Sequence, residues 1–182
     1  MKQESPPPLM DVKAFAHSAR EIAGRDLLSN YERLMKETQG LGAGRMLDWS
    51  ARGELRINQA GVAQVWLHVM VNVSLPLTCQ RCMGPVDIAA TVDRSFRFVE
   101  SEEAAEAQDA EAEEDVLALS PDFRLSDLIE DEVLMALPVV PIHETCPVEV
   151  KLAVADPDFE IASAEKRNPF AVLAKLQSQK SS

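Results

Sequence analysis

The residues best suited to chemistry are three cysteines and one histidine, arranged as two doublets. Cys79-Gln-Arg-Cys82 is followed by Met83-Gly84-Pro85, and His143 and Cys146 repeat the same spacing some sixty residues later. Two intervening residues let both side chains of a Cys-x-x-Cys turn point at one tetrahedral ion, and a following glycine relaxes the backbone. His143 and Cys146 would complete a three-sulfur, one-nitrogen set, for which zinc is the fitting cofactor. Two other readings stay open. The three cysteines can be reduced, partly buried small side chains, or Cys79 and Cys82 can be a redox pair, whose usual setting is a helix N-terminus. An odd number of cysteines argues against a disulfide framework.

Carboxylates are the other candidates. Asp127, Glu130, Asp131 and Glu132 invite a general acid–base reading, but they fall in the early turns of a predicted helix, where the dipole accounts for negative charge. No nucleophile or substrate-binding motif accompanies them, so no enzyme is expected. Gly40-Leu-Gly42-Ala-Gly44 lacks the Lys-Ser/Thr pair of a phosphate loop and leads into a strand pattern; it reads as a flexible joint. Arg81, Arg94 and Arg97, in or just after the cysteine knuckle, are the expected partner-binding residues.

The elements that must position these groups are two strands meeting at the knuckle. Val65, Leu67, Val69, Val71, Val73, Leu75 and Leu77 alternate with Trp66, His68, Asn72, Ser74 and Thr78, and the period of two resumes at Val86, Ile88, Ala90, Val92, Phe96 and Phe98. A weaker strand over 45–57 precedes them, with turn residues at Asn58-Gln-Ala-Gly61, making an antiparallel meander. Trp66 and His68, on the polar parity, read as surface residues or as a stacking platform for RNA.

Helical spacing places an amphipathic helix at Val12, Phe15, Ala16 and Ala19 and a second over Asp26–Glu37. A third follows from Leu125, Leu128, Ile129, Val133 and Ala136, with Ser126 as its N-cap and Pro138 as its stop. A proline-stiffened arm, Leu137 to Pro147, would carry His143 and Cys146 back to the knuckle. Residues 100–115 are a low-complexity acidic run expected as a mobile loop or frayed helix. Asn168-Pro-Phe170-Ala-Val-Leu173-Ala-Lys-Leu176 is a short capped helix, stable only when docked.

Charge is unevenly placed. The net value is -12, yet residues 1–99 hold 12 Lys/Arg against 10 Asp/Glu, while residues 100–160 hold 2 against 19. The near-neutral sheet with its arginines suits phosphate, and the acidic segment suits a basic protein. No apolar run reaches a membrane span and no signal peptide is visible, so a cytoplasmic protein is expected.

Three motifs in order, the Cys79–Cys82 knuckle, the run from Glu130 through Pro141 and His143 to Cys146, and the terminal Asn168–Leu176 segment, together resemble the YceD family. That family is known as the large ribosomal RNA subunit accumulation protein, and the resemblance covers about residues 12–177. It implies a non-enzymatic accessory factor for synthesis, processing or stability of large-subunit (23S) ribosomal RNA, in ribosome biogenesis. The implied partners are that RNA or its precursors, reached directly or through ribosomal proteins, with no membrane and no small-molecule substrate. The alternatives are a zinc-binding or thiol-redox module, or a docking adaptor for basic ribosomal proteins. The expected fold is α+β: an antiparallel meander with packed amphipathic helices and an acidic mobile loop. The expected division is a disordered lead-in over 1–11, one YceD-like domain over 12–177 that includes the acidic loop 100–115, and a disordered tail over 178–182.

Overall fold

The computed structural model describes residues 3, 4 and 7–149. In chain order the elements are β1 (Gln3–Glu4), β2 (Leu9–Met10), α1 (Val12–His17), β3 (Glu21–Leu27), a 3-10 turn (Leu28–Asn30), α2 (Glu32–Glu37), β4 (Met46–Ile57), β5 (Ala63–Thr78), β6 (Pro85–Val99), α3 (Glu102–Asp109), β7 (Asp115–Ala118), β8 (Phe123–Arg124) and α4 (Leu125–Ala136). The unit so described closes at Cys146. The 168–176 motif and the 178–182 tail lie outside the described residues.

The fold is α+β, built on a six-stranded sheet in the order β1-β3-β4-β5-β6-β7. Its four inner strands are antiparallel, and β5 and β6 pair from Val65↔Phe98 to Thr78↔Pro85. The parity expected for β5 holds: Val65, Leu67, Val69, Val71, Val73, Leu75 and Leu77 are all buried. The sheet is larger and more mixed than a meander, because β1 and β7 add to its edges in parallel. Parallel partners need a crossover, so neither carries a local signal.

One face of the sheet packs on helices. Val12 and Ala16 of α1, Leu34 of α2, and Leu125, Ile129 and Val133 of α4 are essentially inaccessible against Leu47, Leu67, Val69, Val71 and Phe96. Close approach of α1 to β4 depends on Gly53, where a Cβ would fall 2.6 Å from Phe15 Cδ1 and 2.8 Å from the Ala16 backbone. Asp11 caps α1 by accepting from the Ala14 N–H at 3.0 Å.

Several local expectations are corrected. The helix expected from Asp26 begins at Glu32, because residues 21–27 are strand β3, paired along β4 from Glu21↔Arg52 to Leu27↔Met46. The Asp26 carboxylate accepts from the Leu27 N–H and from Asn30 Nδ2, which fixes the bend between strand and turn. Within the expected lead-in, Leu9–Met10 pairs with β8 and Met10 joins the core. Ser126 is not an N-cap but the second residue of α4, which follows directly from β8. The acidic run contains α3, capped by the Ser101 hydroxyl accepting from Ala104 N–H, with Ala105 buried.

Glu130 shows how the helices are tied together. Tyr31, the residue before α2, offers no side-chain cap. Instead Glu130 Oε1 accepts from the N–H groups of Arg33 at 2.6 Å and Leu34 at 3.1 Å, while Oε2 accepts from Arg33 Nε at 2.9 Å. A carboxylate of α4 therefore closes the N-terminus of α2, where the exposed amide donors favour it.

Candidate metal centre

Where β5 hands over to β6, six residues from Cys79 to Gly84 make the turn. Cys79 N–H donates to the Gly84 carbonyl at 2.8 Å and Met83 N–H donates to the Cys79 carbonyl at 2.9 Å, with Met83 in the left-handed region at φ 60°. The arm after α4 returns to this turn and is pinned by Gln80 N–H donating to the Pro141 carbonyl at 2.8 Å. Both doublets thus arrive at one place.

Their four ligand atoms lie within 4.8 Å of one another. Cys79 Sγ is 4.0 Å from Cys146 Sγ, and Cys82 Sγ is 3.4 Å from His143 Nδ1. Tetrahedral zinc with ordinary bond lengths sets edges of about 3.8 Å between sulfurs and about 3.6 Å between sulfur and nitrogen. The closest pairs bracket those edges, so the donor set fits zinc with small side-chain adjustment.

The histidine is oriented for the role. Its Nε2 stands 3.0 Å from the Pro85 carbonyl oxygen, which can only accept, so Nε2 carries the proton and Nδ1 presents its lone pair toward Cys82. A ligating histidine characteristically donates its other nitrogen to such a backbone group. Electrostatics favour an anionic sulfur at Cys79 but not at Cys146. Burial opposes ionisation of Cys79, but backbone N–H groups at Cys82, His143 and Arg81 and the His143 side chain outweigh it, bringing the thiol down to about 5. Burial, then hydrogen bonding with Cys82 and Cys79, pushes the Cys146 thiol up. Cys79 is fully buried, and Cys82 and Cys146 are half-buried.

The three arginines have separate fates. Arg81 is exposed at the knuckle. Arg94 is engaged by Asp115 and by Glu132, at 3.4 Å from the latter. Arg97 is 7% exposed, so it is not an open contact; its Nε donates to Glu114 Oε1 at 2.6 Å and its Nη1 to Gln108 Oε1 at 2.7 Å. Hydrogen bonding from Arg97 holds the Glu114 carboxyl below the usual carboxylate range. Directly across the strands from Arg97 stands Trp66, 8% exposed, with the Arg56 guanidinium 4.1 Å above its ring. Trp66 is therefore covered and not an open stacking platform, and among the described residues its buried Nε1 has no hydrogen-bond partner. Sequence reasoning missed this cluster, although Arg56 and Trp66 share the outward parity of paired strands. His68, on the same face, donates from Nε2 to Asp93 at 2.7 Å.

Comparison with known proteins bears on the four candidate ligands. A family model described as large ribosomal RNA subunit accumulation protein YceD matches residues 67–177, a span that contains all four candidate ligands. A large ribosomal RNA subunit accumulation protein YceD from Haemophilus influenzae is 34% identical over 115 residues, which is 59% of this chain and 62% of the relative. The match thus spans less than two thirds of that relative's length. No solved structure matches.

Proposed function

This chain belongs to the YceD family, and from that membership we propose that it is a non-enzymatic accessory factor in the accumulation of large-subunit (23S) ribosomal RNA. It acts in synthesis, processing or stability of that RNA during ribosome production in the cytoplasm. The observation that carries this reading is the family match over residues 67–177, which takes in the β5–β6 hairpin and the returning arm together. Its partners are large-subunit RNA or its precursors, met directly or through basic ribosomal proteins. Exposed acids of the α3 segment, Glu102, Glu103 and Glu106 among them, suit the latter.

In this reading Cys79, Cys82 and Cys146 as thiolates and His143 through Nδ1 hold one zinc ion. A bound ion with four protein ligands has no open position for water or substrate, so its chemistry is that of a structural cross-link. Such a link fastens the proline-stiffened arm to the hairpin tip and gives Arg81 a rigid mounting. The Cys79 and Cys82 sulfurs, within 4.8 Å of each other, and the acidic Cys79 thiol also favour a Cys79/Cys82 redox pair as a second reading.

Co-sedimentation with large-subunit precursors is the expected result for the tagged protein in lysate. A deletion strain with normal large-subunit RNA levels would remove the basis for the proposal. Protein contacts that survive nuclease would instead mark a docking adaptor. Native mass spectrometry separates the two readings of the centre: one zinc per chain is expected, whereas a metal-free chain whose Cys79 and Cys82 cycle to a disulfide under mild oxidant would favour redox.

A further inference from the structure

The far end of the β5–β6 hairpin holds a second constellation that the metal centre does not use. Arg56, Trp66 and Arg97 stand near one another on β4, β5 and β6, on the sheet face opposite α1, α2 and α4, through the registers Glu54↔Trp66, Arg56↔Gln64 and Trp66↔Arg97. The chain's own acidic crossover between β6 and β7 covers Arg97, whereas the Trp66 ring is covered by Arg56, which is itself exposed and paired with Glu54 at 2.5 Å. The crossover's contribution to Arg97 is an anionic oxygen from Glu114 beside a neutral carbonyl oxygen from Gln108.

That pair of acceptors is what a nucleotide offers, a phosphate oxygen near a base carbonyl. The indole backs the exposed Arg56 guanidinium, whose open side can take an unpaired base, since every base presents a π-face. The buried Nε1 of Trp66, a donor without an acceptor among the described residues, adds a third recognition group. Outward from the cluster lies the exposed Met70, and beyond it Asn72, Ser74 and Thr91 are exposed along the same face and supply small polar groups.

We propose that Arg56, Trp66 and Arg97 form a contact site for single-stranded RNA, and that the acidic crossover carrying Gln108 and Glu114 is its internal pseudo-ligand, displaced when RNA binds. The inference deepens the ribosomal RNA reading and rests on it for the identity of the natural strand. A buried arginine–glutamate pair is close to break-even against its own desolvation, so exchanging one carboxylate for one phosphate is nearly neutral. Base stacking and further phosphate contacts then favour the RNA-bound state. The crossover remains anchored on both sides as it lifts, because β6 and β7 pair independently of the Arg97 contacts.

The test uses the full chain and a fluorescein-labelled uridine oligonucleotide of about 12 nucleotides, read by fluorescence anisotropy at low and moderate salt. Glu114→Gln weakens the pseudo-ligand and is expected to tighten binding by about fivefold or more. Glu111→Gln removes the same charge from an exposed position and is expected to change affinity by less than about twofold. Adding Arg56→Ala to Glu114→Gln is expected to abolish the increase. Equal affinities for Glu114→Gln and Glu111→Gln, or an increase that survives Arg56→Ala, would overturn the proposal. Should Glu114→Gln lose its native circular dichroism, Gln108→Ala at an exposed position carries the same expectation in the same direction. Co-sedimentation with large-subunit precursors reads the ribosomal assignment separately. Tighter oligonucleotide binding without co-sedimentation keeps the site and sinks the assignment, and the reverse keeps the assignment and sinks the site.

Discussion

The two ends of one hairpin are held by opposite kinds of force. At the tip, Cys79, Cys82, His143 and Cys146 converge through backbone geometry, with the Pro85 and Pro141 carbonyls acting as stops. At the far end, Arg97 is held by neutral Gln108 and by Glu114, whose charge a competing anion can replace. Holding a tetrahedral ion, as proposed, the first arrangement would tolerate little displacement. The second is nearly balanced, and balance is what an exchangeable contact requires. A soft-ligand centre makes a fixed point; a charge latch makes a movable one.

The comparison breaks most readily at the tip. Removing the metal with a strong chelator, or changing Cys82→Ser, is expected to lower thermal stability by roughly 10 °C or more, because a structural zinc contributes its binding energy to folding. Differential scanning calorimetry should show this loss to be insensitive to salt. A chelator-resistant melting curve would make the tip no more fixed than the latch.

Glu130→Ala sharpens the contrast between charges that latch and charges that build. Its removal strips two amide donors at the start of α2 of their acceptor and leaves Arg33 with Asp131 as its remaining carboxylate partner. Urea denaturation should show a loss of about 2–4 kcal/mol, well above the cost of a surface pair. Gly53→Ala is expected to follow at about 1–3 kcal/mol, since the added methyl meets Phe15 and the α1 backbone.

The smallest effects are expected from two acids that titrate with opposite sign. Hydrogen bonding from Arg97 lowers the Glu114 carboxyl below its ordinary 4.5, so its stabilisation is present above that value and lost as pH falls through the folded one. Burial raises Glu132 above 4.5, so its favourable share is complete below that value and lost as pH rises through the folded one. At pH 7, Glu114→Gln should be less stable than the parent and Glu132→Gln more stable. Urea titrations repeated near pH 3.5 should bring both variants back toward the parent.

Much of this contrast could be read from residues, but unevenly. The alternation of β5 and β6 announced the hairpin, and equal spacing in the two doublets announced the convergence at its tip. Both signals are local in each half. Strand β3 was hidden because Gly24 and the buried Asp26 interrupt its alternation, while the Leu27, Leu28, Tyr31 and Leu34 spacing that follows imitates a helix. Edge strands β1 and β7 owe their existence to parallel neighbours far along the chain. The latch was invisible for a related reason. Arg97 looked like an outward cation, and only the crossover from β6 to β7 returns Glu114 to it.

The α2 cap has a consequence for how the molecule is made. Six residues cannot hold a helix on their own, and the carboxylate that completes this one is encoded 97 positions downstream of Arg33. During synthesis the early part of the chain must therefore wait, its N-terminal turn unfinished, until residue 130 has left the exit tunnel and the last described helix has docked. Maturation of this segment is governed by elongation, and a chain that ends before Glu130 is expected to keep that turn open.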